Sequence, residues 1–345
     1  MQLFQSNLRN SFSISIWLLI LTLMTFFMIV IGGLTRLTES GLSITDWKPL
    51  MGTIPPLNNE AWIDVFNKYK ITPEYQIVNN LMTLSEFKYI YWWEWFHRFF
   101  ARCMGLFFVF PFLYFLIKKQ LSKELFIVLL IVFIFGLFQA LVGWWMVKSG
   151  LNENPYVSAY RLTFHLINAL IIFSILFWTF LNSYFGKVNS NQNFKIINVF
   201  FNISLFILLI TIVSGGFMAG TSSGKSFNTF PLMNGSIIPN DYFFYELGLL
   251  NFFENTVAIN FNHRWLGSFT FIFIFAFSLF LLNSRKIKKN NLSIILILIT
   301  IGLQFFLGIL TLINNVPLTF ASLHQTNSVL LLASILFAYH RHKYK

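Results

Sequence analysis

Four histidines, His97, His165, His263 and His324, stand at matching places in the two halves of a 345-residue chain that is otherwise mostly apolar. Each falls about two turns into a long hydrophobic stretch. An ionisable side chain inside such a stretch is costly in lipid, and by default it marks a functional site. Two facing helices can each offer one imidazole to a central iron. The four therefore read as axial ligands of two hemes, paired most simply as His97 with His165 and His263 with His324. A helix–helix hydrogen bond would account for one isolated histidine, but less well for four at one depth. Zinc or copper is the weaker alternative, because two imidazoles with no cysteine or second carboxylate nearby make a poor closed site.

The neighbours of the histidines also repeat. Arg98 and Arg264 directly follow His97 and His263. A guanidinium fork suits the carboxylates of heme propionates, although snorkelling to the membrane surface is the competing reading. Gln139 and Gln304 each precede a glycine by one turn, at Gly143 and Gly308. They mark either close helix approach or a polar contact to a porphyrin. His165 and His324 are each followed three residues on by an asparagine, Asn168 and Asn327.

One difference breaks the repeat. Glu94 lies three residues before His97, on the same helix face, whereas Asn260 occupies that place before His263. A carboxylate beside a heme can stabilise developing positive charge or move a proton. That assigns chemistry to the first half and electron carriage to the second. The competing reading makes Glu94 a boundary residue in the aromatic belt of Trp92, Trp93 and Trp95.

The elements that must position these residues are membrane helices. The chain is 56% hydrophobic and only 10% charged, which belongs to a polytopic membrane protein. A span needs roughly 20 apolar residues, and eight such stretches lie near 13–35, 90–117, 124–147, 158–183, 194–219, 256–283, 291–313 and 317–339. Asn314, Asn315 and Pro317 split the last charge-free run into two helices by a tight turn. The uncharged segment 10–35 is too long for a signal-peptide core and reads as a retained span. Cys103 is the only cysteine, so an intrachain disulfide and covalent CxxCH heme attachment are excluded.

Basic residues set the topology. Arg9, Lys118, Lys119, Lys123, Lys187, Lys195, Arg285, Lys286, Lys288, Lys289, Arg341, Lys343 and Lys345 lie on one set of connections. Glu124 is the only acid among them, and their surplus equals the whole net charge of +12. Both termini are then cytoplasmic, and the four histidines lie toward the outer face. Charge spread over five short connections is not a nucleic-acid surface. His340 and His342 fall in the basic tail, with no role assigned. The first outer loop, about 36–89, is expected to hold a fixed irregular shape imposed by Pro49, Pro55, Pro56 and Pro73.

Residues 31–56 align without a gap on 214–239, with nine of 26 positions identical, Gly32, Gly33, Ser40 and Ser43 among them. Four spans per repeat give both halves one orientation, related by a pseudo-twofold axis along the membrane normal. The expected fold is an all-α polytopic membrane protein, with eight transmembrane helices as two pseudo-twofold-related four-helix bundles. Residues 1–188 form the substrate-heme half and residues 189–345 the cofactor half.

The string GGLTRLTESGLSITDWKPLMGTIPPLNNEAW, followed by PEY, MTLSEFK and WWEWFHR, resembles the heme A synthase family, in its mitochondrial and alphaproteobacterial branch. The resemblance implies oxidation of the C8 methyl of heme O to the formyl of heme A by successive hydroxylations, for aa3-type cytochrome c oxidase. It implies heme O held by His97 and His165, heme b as cofactor held by His263 and His324, and a catalytic role for Glu94. Implied partners are heme O synthase, cytochrome c oxidase assembly factors and membrane lipid, with a homo-oligomer left open. Other bacterial members carry a cysteine pair in an outer loop that this chain lacks, so a relay through such a disulfide is not expected. A diheme electron-transfer cytochrome and a non-catalytic heme carrier are the alternatives.

Overall fold

The computed structural model describes residues 12–46, 53–152, 154–187, 195–284 and 291–344. Arg9, Pro49, Arg285, Lys286, Lys288, Lys289, Lys345 and the expected boundary at 188/189 lie outside the described residues. Among the described residues, eight helices are long and apolar enough to cross a membrane: α1 (Phe12–Leu37), α4 (Leu84–Ile117), α5 (Lys123–Gly150), α6 (Ala159–Phe185), α7 (Lys195–Gly220), α9 (Thr256–Asn283), α10 (Asn291–Ile313) and α11 (Leu318–Lys343). Helices suit this setting because each satisfies its own backbone polar groups, which lipid cannot do. Short helices α2 (Asn59–Lys70) and α3 (Pro73–Ile77) precede α4, and α8 (Asn251–Glu254) precedes α9.

The chain divides into two compact units, one formed by residues 20–173 and the other by residues 12–19 with 174–344. In the first, Thr25 of α1 meets Met104 of α4, and Phe108 of α4 stacks on Phe133 of α5. Phe138 of α5 meets Phe164 of α6 edge-on. In the second, α7 packs on α9, α9 on α10, α10 on α11, and α11 back on α7. Phe201, Leu208, Ile274, Ile297 and Leu331 fill the space between them.

Local sequence explains where the helices depart from the hydropathy reading. α4 starts at Leu84, ahead of the expected 90, because Thr83 and Glu86 form a capping box that starts the helix before the apolar run. The α10–α11 turn forms as expected. Asn315 and Val316 adopt left-handed backbone there, and Pro317 caps α11. α11 runs on to Lys343, so His340 is not in a solvated tail. It is fully buried, its Nε2 lies 3.2 Å from Asn182 Oδ1, and it packs edge-on against Trp178.

The connection between α1 and α4 is irregular around Pro55 and Pro56, as expected, but residues 59–77 fold into α2 and α3. Pro73 sits in the first turn of α3, where a missing N–H costs nothing, and Thr72 caps that helix. Asn58 caps α2. Trp62, Phe66 and Tyr69 of α2 bury themselves against Phe87, Ile90 and Tyr91 of α4, forming an apolar cap above the span. Glu74 is buried in that cap at 7% exposure, where it accepts a hydrogen bond from the Tyr69 hydroxyl at 2.9 Å. Asn79 in turn donates to the Tyr69 oxygen at 2.8 Å.

Burial pushes the Glu74 carboxyl up to about 7, helped by the charges of Glu94 and Glu39 and opposed by the Tyr69 hydrogen bond and Arg36. A carboxyl raised in the folded state is at no disadvantage while protonated. Its contribution is lost as pH rises from about 4.5 toward about 7. An infrared difference titration should show a protonated-carboxyl band disappearing near neutral pH, and Glu74→Gln should lack it. A midpoint in the ordinary carboxylate range would refute this account of the cap.

Candidate functional site

Each histidine is backed by a glycine of a neighbouring helix. A Cβ on Gly32 of α1 would stand 3.2 Å from His97 Nε2, and one on Gly143 of α5 would stand 3.0 Å from His165 Cε1. In the second unit the corresponding distances are 3.1 Å from Gly215 to His263 Cε1 and 2.9 Å from Gly308 to His324 Cε1. Real Cβ contacts are rarely so short, so glycine is what lets each helix approach its imidazole. The repeat identity of Gly32 and Gly215 was visible in the sequence, but its meaning is visible only in the fold.

The rings of His263 and His324 have centres 6.4 Å apart and planes 85° apart. An imidazole nitrogen lies about 1.1 Å from its ring centre, and metal–imidazole bonds run about 2.0–2.1 Å, so two imidazoles on one metal have centres about 6.3 Å apart. The spacing fits a single iron between them. His97 and His165 are close enough to interact electrostatically. Nδ1 of His165 and of His263 is buried without a hydrogen-bond partner among the described residues. The histidines come in twos, and among the described residues no group of three or more His, Cys, Asp or Glu gathers to hold an ion. That donor set suits a heme iron better than zinc.

Behind His165 and His324 lies a shared amide chain. Asn168 donates from Nδ2 to the Phe135 carbonyl at 3.2 Å and to Gln139 Oε1 at 2.5 Å. Gln139 Nε2 then meets His165 Nε2 at 3.2 Å and the His165 carbonyl at 3.1 Å. In the second unit Asn327 donates to the Thr300 carbonyl and to Gln304 Oε1, both at 2.8 Å. Gln304 Nε2 lies 3.3 Å and 3.4 Å from the two ring nitrogens of His324. The sequence flagged all four amides as matched positions but not their connection.

Glu94 is the most heavily bonded carboxylate of the site, at 2% exposure. Its Oε2 accepts from Ser43 Oγ at 2.7 Å and from the Ile44 amide at 2.8 Å. Its Oε1 accepts from Arg98 Nη2 at 2.5 Å. Arg98 Nη2 also donates to the Ile44 carbonyl at 3.1 Å. The carboxylate thereby ties α4 to the segment that follows α1. In the second unit the same tie exists without a charge. Asn260, fully buried, donates to the Ser223 carbonyl at 2.7 Å, and Arg264 Nη2 donates to the carbonyls of Phe227 and Thr229. Ser223 and Phe227 are the repeat partners of Ser40 and Ile44.

The two arginines therefore differ. Arg98 commits Nη2 to Glu94, whereas Nε and Nη1 of Arg264 are buried without a partner among the described residues. A propionate would satisfy those donors.

Residues 15–336 match the COX15-CtaA family, described as cytochrome oxidase assembly protein. The chain is 43% identical over 333 residues to the heme A synthase of Nitrosospira multiformis, covering 95% of this chain and 92% of that one. It is 42% identical over 338 residues to the heme A synthase of Nitrosomonas eutropha, covering 95% and 93%. A third relative, the heme A synthase of the Wolbachia of Brugia malayi, is 40% identical over 327 residues, covering 94% and 96%.

The Glu94–Arg98 pair generates a stability prediction. Glu94→Leu strands a mostly buried guanidinium, a loss of about 3–5 kcal/mol for a buried pair. Glu94→Asn should cost markedly less, because Asn260 shows an amide bonding in this place. The double variant Glu94→Leu/Arg98→Leu should recover much of the loss. Thermal unfolding of the detergent-solubilised chain measures all three. Equal losses for the single and double variants would show that the pair contributes nothing.

Proposed function

The chain belongs to the COX15-CtaA family of cytochrome oxidase assembly proteins, and on that premise we propose that it is a membrane oxidoreductase converting heme O to heme A. The observation that carries the reading is the near-full-length match to proteins named heme A synthase, on a chain whose two halves hold matched pairs of glycine-backed histidines. With water as the oxygen donor, oxidising a methyl to a formyl group would release four electrons and four protons. The site must therefore hold the methyl-bearing substrate and pass electrons onward.

We assign residues 1–188 to the substrate and residues 189–345 to the cofactor, as two four-helix bundles related by a pseudo-twofold axis. The cyclic packing of α7, α9, α10 and α11 supports this, as do the matched contacts in the two units. His97 and His165 would hold heme O. His263 and His324 would hold heme b, whose chemistry is one-electron transfer away from the substrate, with Arg264 pairing a propionate. Glu94 and Arg98 lie one turn or less from His97. In this assignment the Glu94 carboxylate stabilises charge developing at the oxidised carbon, and Ser43 and Ile44 hold it in place. The basic connections support termini on the cytoplasmic side of an inner membrane, with the heme sites toward the outer face. Heme O synthase would supply the substrate, and oxidase assembly factors would receive the product.

Co-expression with a heme O synthase, followed by pigment extraction, tests the reading. Heme A should accumulate with the wild-type chain, and heme O alone would overturn it. Glu94→Gln keeps the size but removes the charge and replaces one accepting oxygen with a donor. Its heme A yield should fall on the order of 100-fold, about 3 kcal/mol, with heme b content unchanged. A wild-type yield would move catalysis away from Glu94.

The cofactor assignment has its own test. Gly308→Val drives a side chain into His324 and should abolish the low-spin b-type spectrum while the chain still inserts. His324→Ala should lose the same spectrum, and an intact spectrum in that variant would show that His324 is not a ligand.

A further inference from the structure

The connection between α7 and α9 turns its apolar side chains outward. Tyr245 is 89% exposed and Leu249 82%, and Phe243, Phe244, Leu250 and Phe253 are exposed beside them. Exposed aromatic and aliphatic side chains gathered on so short a stretch mark a contact with protein or membrane. Its charged residues, Asp241, Glu246 and Glu254, are all acidic, and no lysine or arginine lies between Lys225 and Arg264. Attraction to anionic headgroups therefore plays no part here.

Contacts at both ends hold the segment low. Tyr242 packs edge-on against Phe261 of α9, with ring centres 4.7 Å apart, and its hydroxyl donates to Asn262 Oδ1 at 3.1 Å. Those residues lie just ahead of His263, inside the span. Phe253 meets Phe217 of α7, three residues before that helix ends at Gly220. The segment thus folds back against the end turns of two spans instead of rising into water. Phe261 in turn meets Trp265, and Trp265, Phe269 and Ile272 are exposed at one-turn intervals along α9. On a spanning helix that stripe faces lipid, and Tyr242 extends it.

Irregular backbone tolerates an apolar setting only where the protein itself satisfies its polar groups. Two buried asparagines do so here. Asn251 accepts from the Phe244 N–H and donates to the Tyr242 carbonyl, both at 2.9 Å. Asn255 donates to the carbonyls of Asp241 and Tyr242 at 2.9 Å and 3.3 Å. Backbone groups are covered while phenylalanines are bare, the reverse of what water favours. We propose that residues 242–253 are an interfacial anchor, which inserts Phe243, Phe244, Tyr245, Leu249 and Leu250 among the lipids of the leaflet on the histidine side. The occupant is lipid because the segment continues the lipid-facing stripe of α9, and apolar burial drives the insertion.

The test spin-labels single cysteines in the full-length Cys103→Ser chain, reconstituted into phosphatidylcholine vesicles. Collisions with oxygen, which concentrates among acyl chains, are compared with those of a nickel chelate, which stays in water and is supplied on both sides. Ile272→Cys marks lipid and the exposed Asp64→Cys of α2 marks water. Labels at Tyr245→Cys and Leu249→Cys should shift from the Asp64→Cys value toward that of Ile272→Cys, with no further shift when phosphatidylglycerol is added.

Labels reached mainly by the nickel chelate would make the segment an aqueous loop and overturn the inference. Labels that neither reagent reaches would mean that another copy or another protein covers it, which overturns it equally. Insertion that appears only with phosphatidylglycerol would refute apolar burial as its cause. Asn251→Leu bares the Tyr242 carbonyl and the Phe244 N–H, and it should move the Leu249→Cys label toward water while the Ile272→Cys label stays in lipid. A Leu249→Cys label that does not move in that background would refute the part assigned to the asparagine.

Discussion

An imidazole in hydrocarbon must have something polar or metallic to bind, and the helices around it must come close enough to hold it still. Glycine meets the second requirement at all four histidines. Each ring stands so near a neighbouring helix backbone that any side chain there would force it to shift. Gly32, Gly143, Gly215 and Gly308 come from α1, α5, α7 and α10, and their partners come from α4, α6, α9 and α11. Every long helix of the chain is thus committed to one glycine–histidine contact. The loops, caps and aromatic packing can vary around that set of contacts, but the set itself cannot loosen without releasing a ring.

On this common frame the two halves carry different electrostatics. Both anchor the helix of their first histidine to the segment after the preceding span, and both use an arginine reaching the same repeat-equivalent carbonyl, Ile44 or Phe227. The first half adds the Glu94 carboxylate and the second an amide. A buried ion pair stabilises little by itself, since desolvation offsets most of the attraction. Asn260 shows that an uncharged group suffices to tie this helix to the segment beside it, and the proposed catalytic role of Glu94 would account for a carboxylate in its place.

Much of this was legible in the sequence, for physical reasons that differ by level. The spans were readable because lipid imposes one length and one composition. The paired histidines were readable because polar residues stand out in such spans. Repeat matching placed Glu94 opposite Asn260 before any fold was known. The Asn168–Gln139–His165 chain was not readable, because amide polarity depends on which backbone carbonyl lies behind it. Ser43 was seen as a repeat identity, but its bond to Glu94 crosses 51 residues of chain, and nothing local signals it. The helix that begins at Pro73, in the connection between α1 and α4, was missed for a different reason. Proline breaks a helix interior but starts a helix well, and Pro73 does the latter.

The cap on the first half has no counterpart of similar build in the second, where residues 223–250 form only single turns of 3₁₀ helix before α8. Under the proposed assignment the first half would hold a substrate whose oxidation releases protons, and such a site would need a controlled boundary with the aqueous phase. The packed ring of Trp62, Phe66, Tyr69 and Phe87 excludes bulk water, and within it the Glu74–Tyr69–Asn79 hydrogen bonds leave one titratable group. Burial chiefly, and with it the charge of Glu94, raises the protonation of that group into the neutral range.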